Sequence, residues 1–121
     1  LPALHRFKPE LIFVPCGFDA GVMDPLGAML MHSDGYRRLT ELMLQISDEL
    51  CAGKLVMLQE GGYCEATSPF YGLAVLETLT GIDTDVVDPY LELVVGMGGQ
   101  ELQPHQEQRI ADIVLLINAI K

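Results

Sequence analysis

Two short apolar runs with one helical segment between them do most to constrain how this chain can fold. Leu11 to Val14 is the first run, closed by Pro15-Cys16-Gly17. Lys54 to Gln59 (Lys-Leu-Val-Met-Leu-Gln) is the second, closed by Glu60-Gly61-Gly62-Tyr63. The first reads as a buried strand ending in a loop, and the second as a short apolar strand ending in a turn. Pro15 has no N–H to give a sheet ladder, so the first strand is expected to end there or to bulge. Between the runs, Ser33 reads as a helix N-cap with Asp34 in the first turn. Leu39, Leu42, Met43, Ile46 and Leu50 then recur at helical spacing, and Gly53 is a natural stop. Strand, helix, strand, helix is the order of a parallel α/β sheet, with the two strands as neighbours.

The remaining segments are less regular. Phe18 to His32 contains Gly21, Pro25 and Gly27 without a clean period and reads as a long loop. Ser68-Pro69 opens a second helix, whose apolar face is expected to use Phe70, Leu73, Ala74, Leu76 and Leu79 before Gly81 ends it. Asp83 to Gln103 is acidic and then glycine-rich, and reads as a connection. From about His105 to Ala119 a last helix carries Ile110, Ile113, Val114 and Ile117 on one face. No internal repeat divides the chain. Residues 1–121 read as one portion of a single domain, with 1–81 bearing the strands and motifs and 82–121 the connection and C-terminal helix.

Half of the 121 residues are apolar, which is enough to bury a core and excludes a disordered tail. Seventeen acidic residues against seven basic ones leave a net charge of −10, and the only adjacent basic pair is Arg37-Arg38. Nucleic-acid binding needs clustered Lys and Arg, so nucleic acid is not an expected partner. An acidic surface favours cationic substrates, but it is also ordinary in soluble bacterial-type proteins. No apolar run approaches a membrane span, and no signal-peptide pattern opens the chain. Cys16, Cys51 and Cys64 are odd in number and lack CxxC spacing, which suggests reduced thiols and a cytoplasmic compartment. The first residue is Leu1 rather than Met, so the chain is expected to begin inside a longer parent or to be truncated.

In parallel α/β sheets, functional residues gather in the loops after the strands' C-terminal ends. Two loops qualify here: Gly17-Phe18-Asp19-Ala20 and Glu60-Gly61-Gly62-Tyr63. Asp19 could bind a metal through its oxygens, although an Asx-type turn or a helix cap is the commoner use of such a residue. Catalytic zinc needs about three protein ligands, and neither His5 nor His32 stands at ligand spacing from Asp19. Tyr63, presented after two glycines, could offer its hydroxyl to an oxyanion, since a phenol is protonated at neutral pH. The ordinary alternative is an amphipathic Tyr at the core margin. Gly61 and Gly62 form a turn and could also let a substrate approach the backbone. Cys16 has no partnered His and reads as an inert buried thiol.

These residues carry a resemblance. The string from Lys8 to Ala20 with Asp24-Pro25-Leu26-Gly27 resembles the histone-deacetylase motif of apolar strand, Gly-Phe-Asp-Ala and Asp-Pro-Leu. Leu55 to Tyr63 resembles the same family's Glu-Gly-Gly-Tyr turn, in matching order and separation. Ser68 to Glu77 is most similar to bacterial class II-type histone deacetylase-like amidohydrolases. The resemblance is strong over Phe7 to Gly81 and weak from Asp83 onward. It implies an arginase–deacetylase fold, a three-layer α/β/α sandwich with a parallel sheet, of which this is the C-terminal part. It implies Asp19 as a zinc ligand and Tyr63 as the hydroxyl that polarises the scissile amide. Leu26 would line an acyl-lysine channel, with Gly61 and Gly62 as its wall.

The Asp-x-His pair, the His-His pair and the channel aromatics of that family are absent from this chain. The implied activity, zinc-dependent hydrolysis of acetyl-lysine-like amides, is therefore expected of the parent, with this chain inactive alone. An acetylpolyamine amidohydrolase of the same fold is one alternative. A non-catalytic interaction or structural module from a split or degenerate gene is another. The implied partners are an acetylated lysine or polyamine substrate and copies of the parent in a homo-oligomer, with neither nucleic acid nor membrane.

Overall fold

The computed structural model describes residues 1–99 and 101–117. Gln100, within the expected connection, and Asn118 and Ala119, within the expected last helix, lie outside the described residues. Two parallel strands, β1 (Ile12–Cys16) and β2 (Leu55–Gln59), pair in register from Ile12 opposite Leu55 to Cys16 opposite Gln59. β1 runs through Pro15 to Cys16 instead of ending or bulging at Pro15. Ile12 N donates to Lys54 O at 3.0 Å, and Phe18 N donates to Gly61 O at 2.6 Å. Successive residues of a strand turn their N–H groups to opposite sides. The even-numbered residues of β1 therefore face β2, and Pro15 turns its missing donor toward the open edge, where it costs no ladder bond.

The crossover is a helix. A short α1 (Pro2–Phe7) precedes β1, and α2 (Ser33–Cys51) links the two strands. The cap of α2 falls one residue earlier than expected. His32 is the extended N-cap residue, and its Nδ1 accepts from Gly35 N at 3.4 Å. Ser33 is already helical, and its hydroxyl donates to Asp88 Oδ2 at 2.6 Å. At the other end the left-handed turn begins at Ala52 (φ 53°) and continues through Gly53 (φ 74°). α3 (Ser68–Thr80) starts as expected at Ser68-Pro69 and stops at Gly81, whose φ is 68°.

Both faces differ from the periodicity. In α2, Tyr36, Thr40, Ile46, Ser47 and Cys51 are buried, whereas Leu39 is 50 % exposed. Thr40 and Ser47 satisfy themselves on the carbonyls of Tyr36 and Leu44, at 2.8 and 2.9 Å, so they can pack closely against other elements. In α3 the buried face is Tyr71, Ala74, Val75 and Glu77, while Leu76 is 60 % exposed. That helix is apolar almost all round, so its sequence did not determine which side turns inward.

The core has two parts on one face of the sheet. Cys16, Phe18, Tyr36, Tyr71 and Val75 form one cluster; Ile12, Ile46 and Cys51 form the other. Val14 packs against both. The opposite face carries Phe13, Val56 and Leu58, all exposed. The chain is thus an α/β unit with helices packed against one side of a parallel sheet. The expected connection contains a helical turn, α4 (Leu91–Val95), whose Val94 is 1 % exposed. The last helix, α5 (Pro104–Leu116), buries none of its residues. No described helix is long and apolar enough to cross a membrane.

Candidate functional site

The two motif loops leave the same end of the sheet side by side. Beyond the strands the ladder continues: Glu60 N donates to Cys16 O at 3.3 Å, and Phe18 N to Gly61 O at 2.6 Å. The stretch from Phe18 to His32 is ordered despite its lack of period. Gly21 N bonds Phe18 O, Met31 N bonds Ala20 O and Val22 N bonds Met31 O, at 3.0–3.1 Å. Beneath it, Phe18, Tyr36 and Tyr71 form an aromatic floor, with Phe18 edge-on to Tyr36 at 5.4 Å and Tyr36 stacked on Tyr71 at 5.0 Å. The Tyr36 hydroxyl donates to Gly17 O at 3.1 Å and holds the start of the loop. Burial, with the nearby Cys16 adding to it, pushes that phenol above its ordinary range, so it stays a donor.

Asp19 and Tyr63 converge on Gly61. A Cβ on Gly61 would stand 3.1 Å from Asp19 Cγ and 3.3 Å from Tyr63 Cε2. The carboxylate and the edge of the phenol ring therefore flank one point of bare backbone. Both side chains are exposed. Gly62 makes the turn possible. Its φ of 141° disfavours any side chain, and a Cβ there would lie 2.8 Å from Phe18 Cβ.

A residue to which sequence reasoning gave no role joins the loops. Asp24 is 6 % exposed. Its Oδ2 accepts from Tyr63 N at 2.7 Å, and its Oδ1 accepts from Leu26 N at 2.9 Å and Gly27 N at 3.2 Å. Burial raises its pKa, but the N–H groups of Tyr63, Leu26, Gly27 and Cys64 outweigh that and hold it below the usual carboxylate range. The sequence signal for the local half was there, because Asp-Pro-Leu-Gly is an Asx-turn pattern. The bond to Tyr63 crosses 39 residues and has no local signature.

Asp19, Gly61, Gly62 and Tyr63 are thus brought together, and Leu26 joins them through its backbone. Its side chain is 73 % exposed. Among the described residues, no three His, Cys, Asp or Glu groups stand where they could hold a metal ion. Asp19 offers one oxygen ligand, and these residues do not by themselves compose a zinc site. Cys16 is buried and its thiol pKa is raised by desolvation, as an inert core thiol requires.

Comparison with known proteins gives this pairing its context. The family described as "Histone deacetylase domain" matches residues 1–79, well over half of the chain. The chain belongs to the histone deacetylase family. It is 41 % identical over 114 residues to a histone deacetylase-like amidohydrolase of Pseudomonas aeruginosa, covering 93 % of this chain and 30 % of that one. It is 35 % identical over 77 residues to histone deacetylase 8 of Arabidopsis thaliana, covering 64 % of this chain and 20 % of the relative. The solved structure of the histone deacetylase Clr3 superposes with a TM-score of 0.73 at 25 % identity, over 99 % of this chain and 18 % of that one. The fold of this histone deacetylase family chain is therefore that of deacetylase domains. The chain spans less than a third of the length of these relatives.

Proposed function

We propose that this chain is part of a zinc-dependent deacetylase domain that hydrolyses acetyl-lysine-like amides. The observation that carries the reading is the convergence of the Asp19 carboxylate and the Tyr63 ring on Gly61. In this reading Asp19 supplies one ligand of a zinc site that residues outside the chain complete. The zinc, when bound, serves as Lewis acid and activates a water. Tyr63 directs its O–H at the amide oxygen and strengthens that bond as the oxygen becomes an oxyanion. Gly61 and Gly62 leave room for the acyl group beside the backbone, and Leu26 lines the approach for the aliphatic stem of the substrate. With one ligand of about three, the chain is inactive without the rest of the domain. The substrate is an acetylated lysine or polyamine, and the setting is a cytoplasmic homo-oligomer that engages neither nucleic acid nor membrane.

The test is made in the complete domain. Asp19→Ala should remove bound zinc and turnover of a fluorogenic acetyl-lysine peptide together. Tyr63→Phe should keep the zinc and lower kcat by about 10²- to 10³-fold, the usual effect of deleting an oxyanion donor. Unchanged zinc content and turnover in both variants would sink the reading. Acetylpolyamines assayed beside the peptide separate the two substrate classes.

A further inference from the structure

Asp24 is a nearly buried carboxylate whose partners are backbone N–H groups on both motif loops. Oδ1 closes the turn that carries Leu26; Oδ2 holds the N–H of Tyr63 at 2.7 Å, its shortest bond. Within this chain Tyr63 is 56 % exposed, and what holds it here is its backbone. Its direction depends on the backbone, and that backbone is set by Gly62 on one side and by Asp24 on the other. We propose that Asp24 is a positioning residue for the reaction: it fixes the Tyr63 hydroxyl and ties it to Leu26, so the oxyanion donor and the residue that lines the channel keep one relative geometry. The proposal rests on the deacetylase reading of Tyr63 and adds a residue that never touches substrate.

Asparagine is the diagnostic replacement. It keeps the shape of Asp24 but has one acceptor oxygen and one NH2 group. It can serve the turn at Leu26 and Gly27 or the N–H of Tyr63, but not both, because the amide nitrogen would face an N–H donor. The experiment is a double-mutant cycle of Asp24→Asn and Tyr63→Phe in the complete domain, reading kcat, KM and bound zinc. D24N should lower kcat by roughly 10- to 100-fold, as small misplacements of a reacting group do, with KM and zinc unchanged. In the Y63F background D24N should cost nothing further, since no hydroxyl remains to be positioned. A second readout does not depend on turnover: 3-fluorotyrosine at position 63 should give one narrow ¹⁹F resonance in the parent protein and a shifted or broadened one in D24N. The proposal is overturned if D24N leaves kcat and the ¹⁹F line unchanged. It is also overturned if its cost is undiminished on Y63F, or if zinc or folded protein is lost along with kcat. Should Y63F alone turn over normally, the reading of Tyr63 has failed, and the ¹⁹F line still decides the tether.

Discussion

At Gly62 the backbone holds φ at 141°, and the nearest atom to a Cβ would be Phe18 Cβ at 2.8 Å. Gly62→Ala should therefore cost about 1–3 kcal/mol in backbone strain and displace Tyr63, read as a lowered urea midpoint and a lowered kcat in the complete domain. The same change at Gly98, where a Cβ meets nothing within 4 Å, should move neither. The cysteines separate in a similar way. Cys16 and Cys51 are buried, but Cys64 is half-buried and its thiol pKa is lowered, first by the Thr67 hydroxyl and, against the effect of burial, by the N–H groups of Thr67 and Ala66. Iodoacetamide at neutral pH should label Cys64 first, with peptide mapping as the check; faster labelling of Cys16 would contradict the placement. What was most legible in the sequence was the placement of Asp19 and Tyr63 on glycine-flanked turns after apolar strands, because a turn at a strand end is written locally. Asp24 was half legible. Its Asx turn is a four-residue pattern, but its bond to Tyr63 exists only once two loops stand side by side.

Among the elements, the existence of the strands and the ends of α3 were read well and helix faces were not. Gly81 and Ser68-Pro69 mark α3 because left-handed φ and a proline near the N-terminus are local demands. Which face turns inward is decided by neighbours. α2 presents Thr40 and Ser47 to the core because their hydroxyls bond the helix's own carbonyls, and a hydrophobic count overlooks them. Ile46→Ala should cost about 2–5 kcal/mol, since the side chain is 1 % exposed, while Leu39→Ala should stay within about 0.5 kcal/mol at 50 % exposure. Equal effects in urea unfolding would mean the face is misplaced. α3 is also fixed by a polar latch. Thr84 donates to Glu77 Oε1 through its N–H at 2.9 Å and its hydroxyl at 2.5 Å, and Arg37 reaches Oε2 at 2.7 Å. Thr84 first and then Arg37 hold the Glu77 carboxyl down to about 2 from an ordinary 4.5. The folded value lies below the unfolded one, so the latch contributes fully above pH 4.5 and is lost as pH falls through about 2. The stability gap between the parent protein and Glu77→Gln should be constant from pH 7 to about 5 and close toward pH 2. A gap that widened on acidification would reverse the sign of the latch.

For the molecule as a whole, the α/β class was legible because strand–helix–strand with a single crossover admits few other arrangements. The three-layer architecture was legible only through resemblance. What this chain builds is a two-stranded sheet with its core on one side, and the other side is left to water. Phe13 is 57 % exposed and Leu58 48 % exposed on that outer face, and Leu11 near the strand's start is 45 % exposed. α5 adds Ile110, Ile113 and Val114, each at least half exposed. Exposed apolar residues together with an open strand edge drive association. Residues 1–121 alone should therefore self-associate and bind a hydrophobic dye, with the sedimentation profile shifting to larger species as concentration rises. Phe13→Lys with Val56→Glu should suppress this, because 13 and 56 are cross-strand partners and the introduced charges attract each other while repelling apolar contact. In the complete domain the same pair should do the reverse. If a second helical layer covers that face, as the three-layer architecture requires, burying the two charges destabilises the domain and lowers its melting temperature. A complete domain indifferent to both substitutions would mean that this side of the sheet faces water in the whole protein too, and the sandwich would then not close as the family resemblance implies.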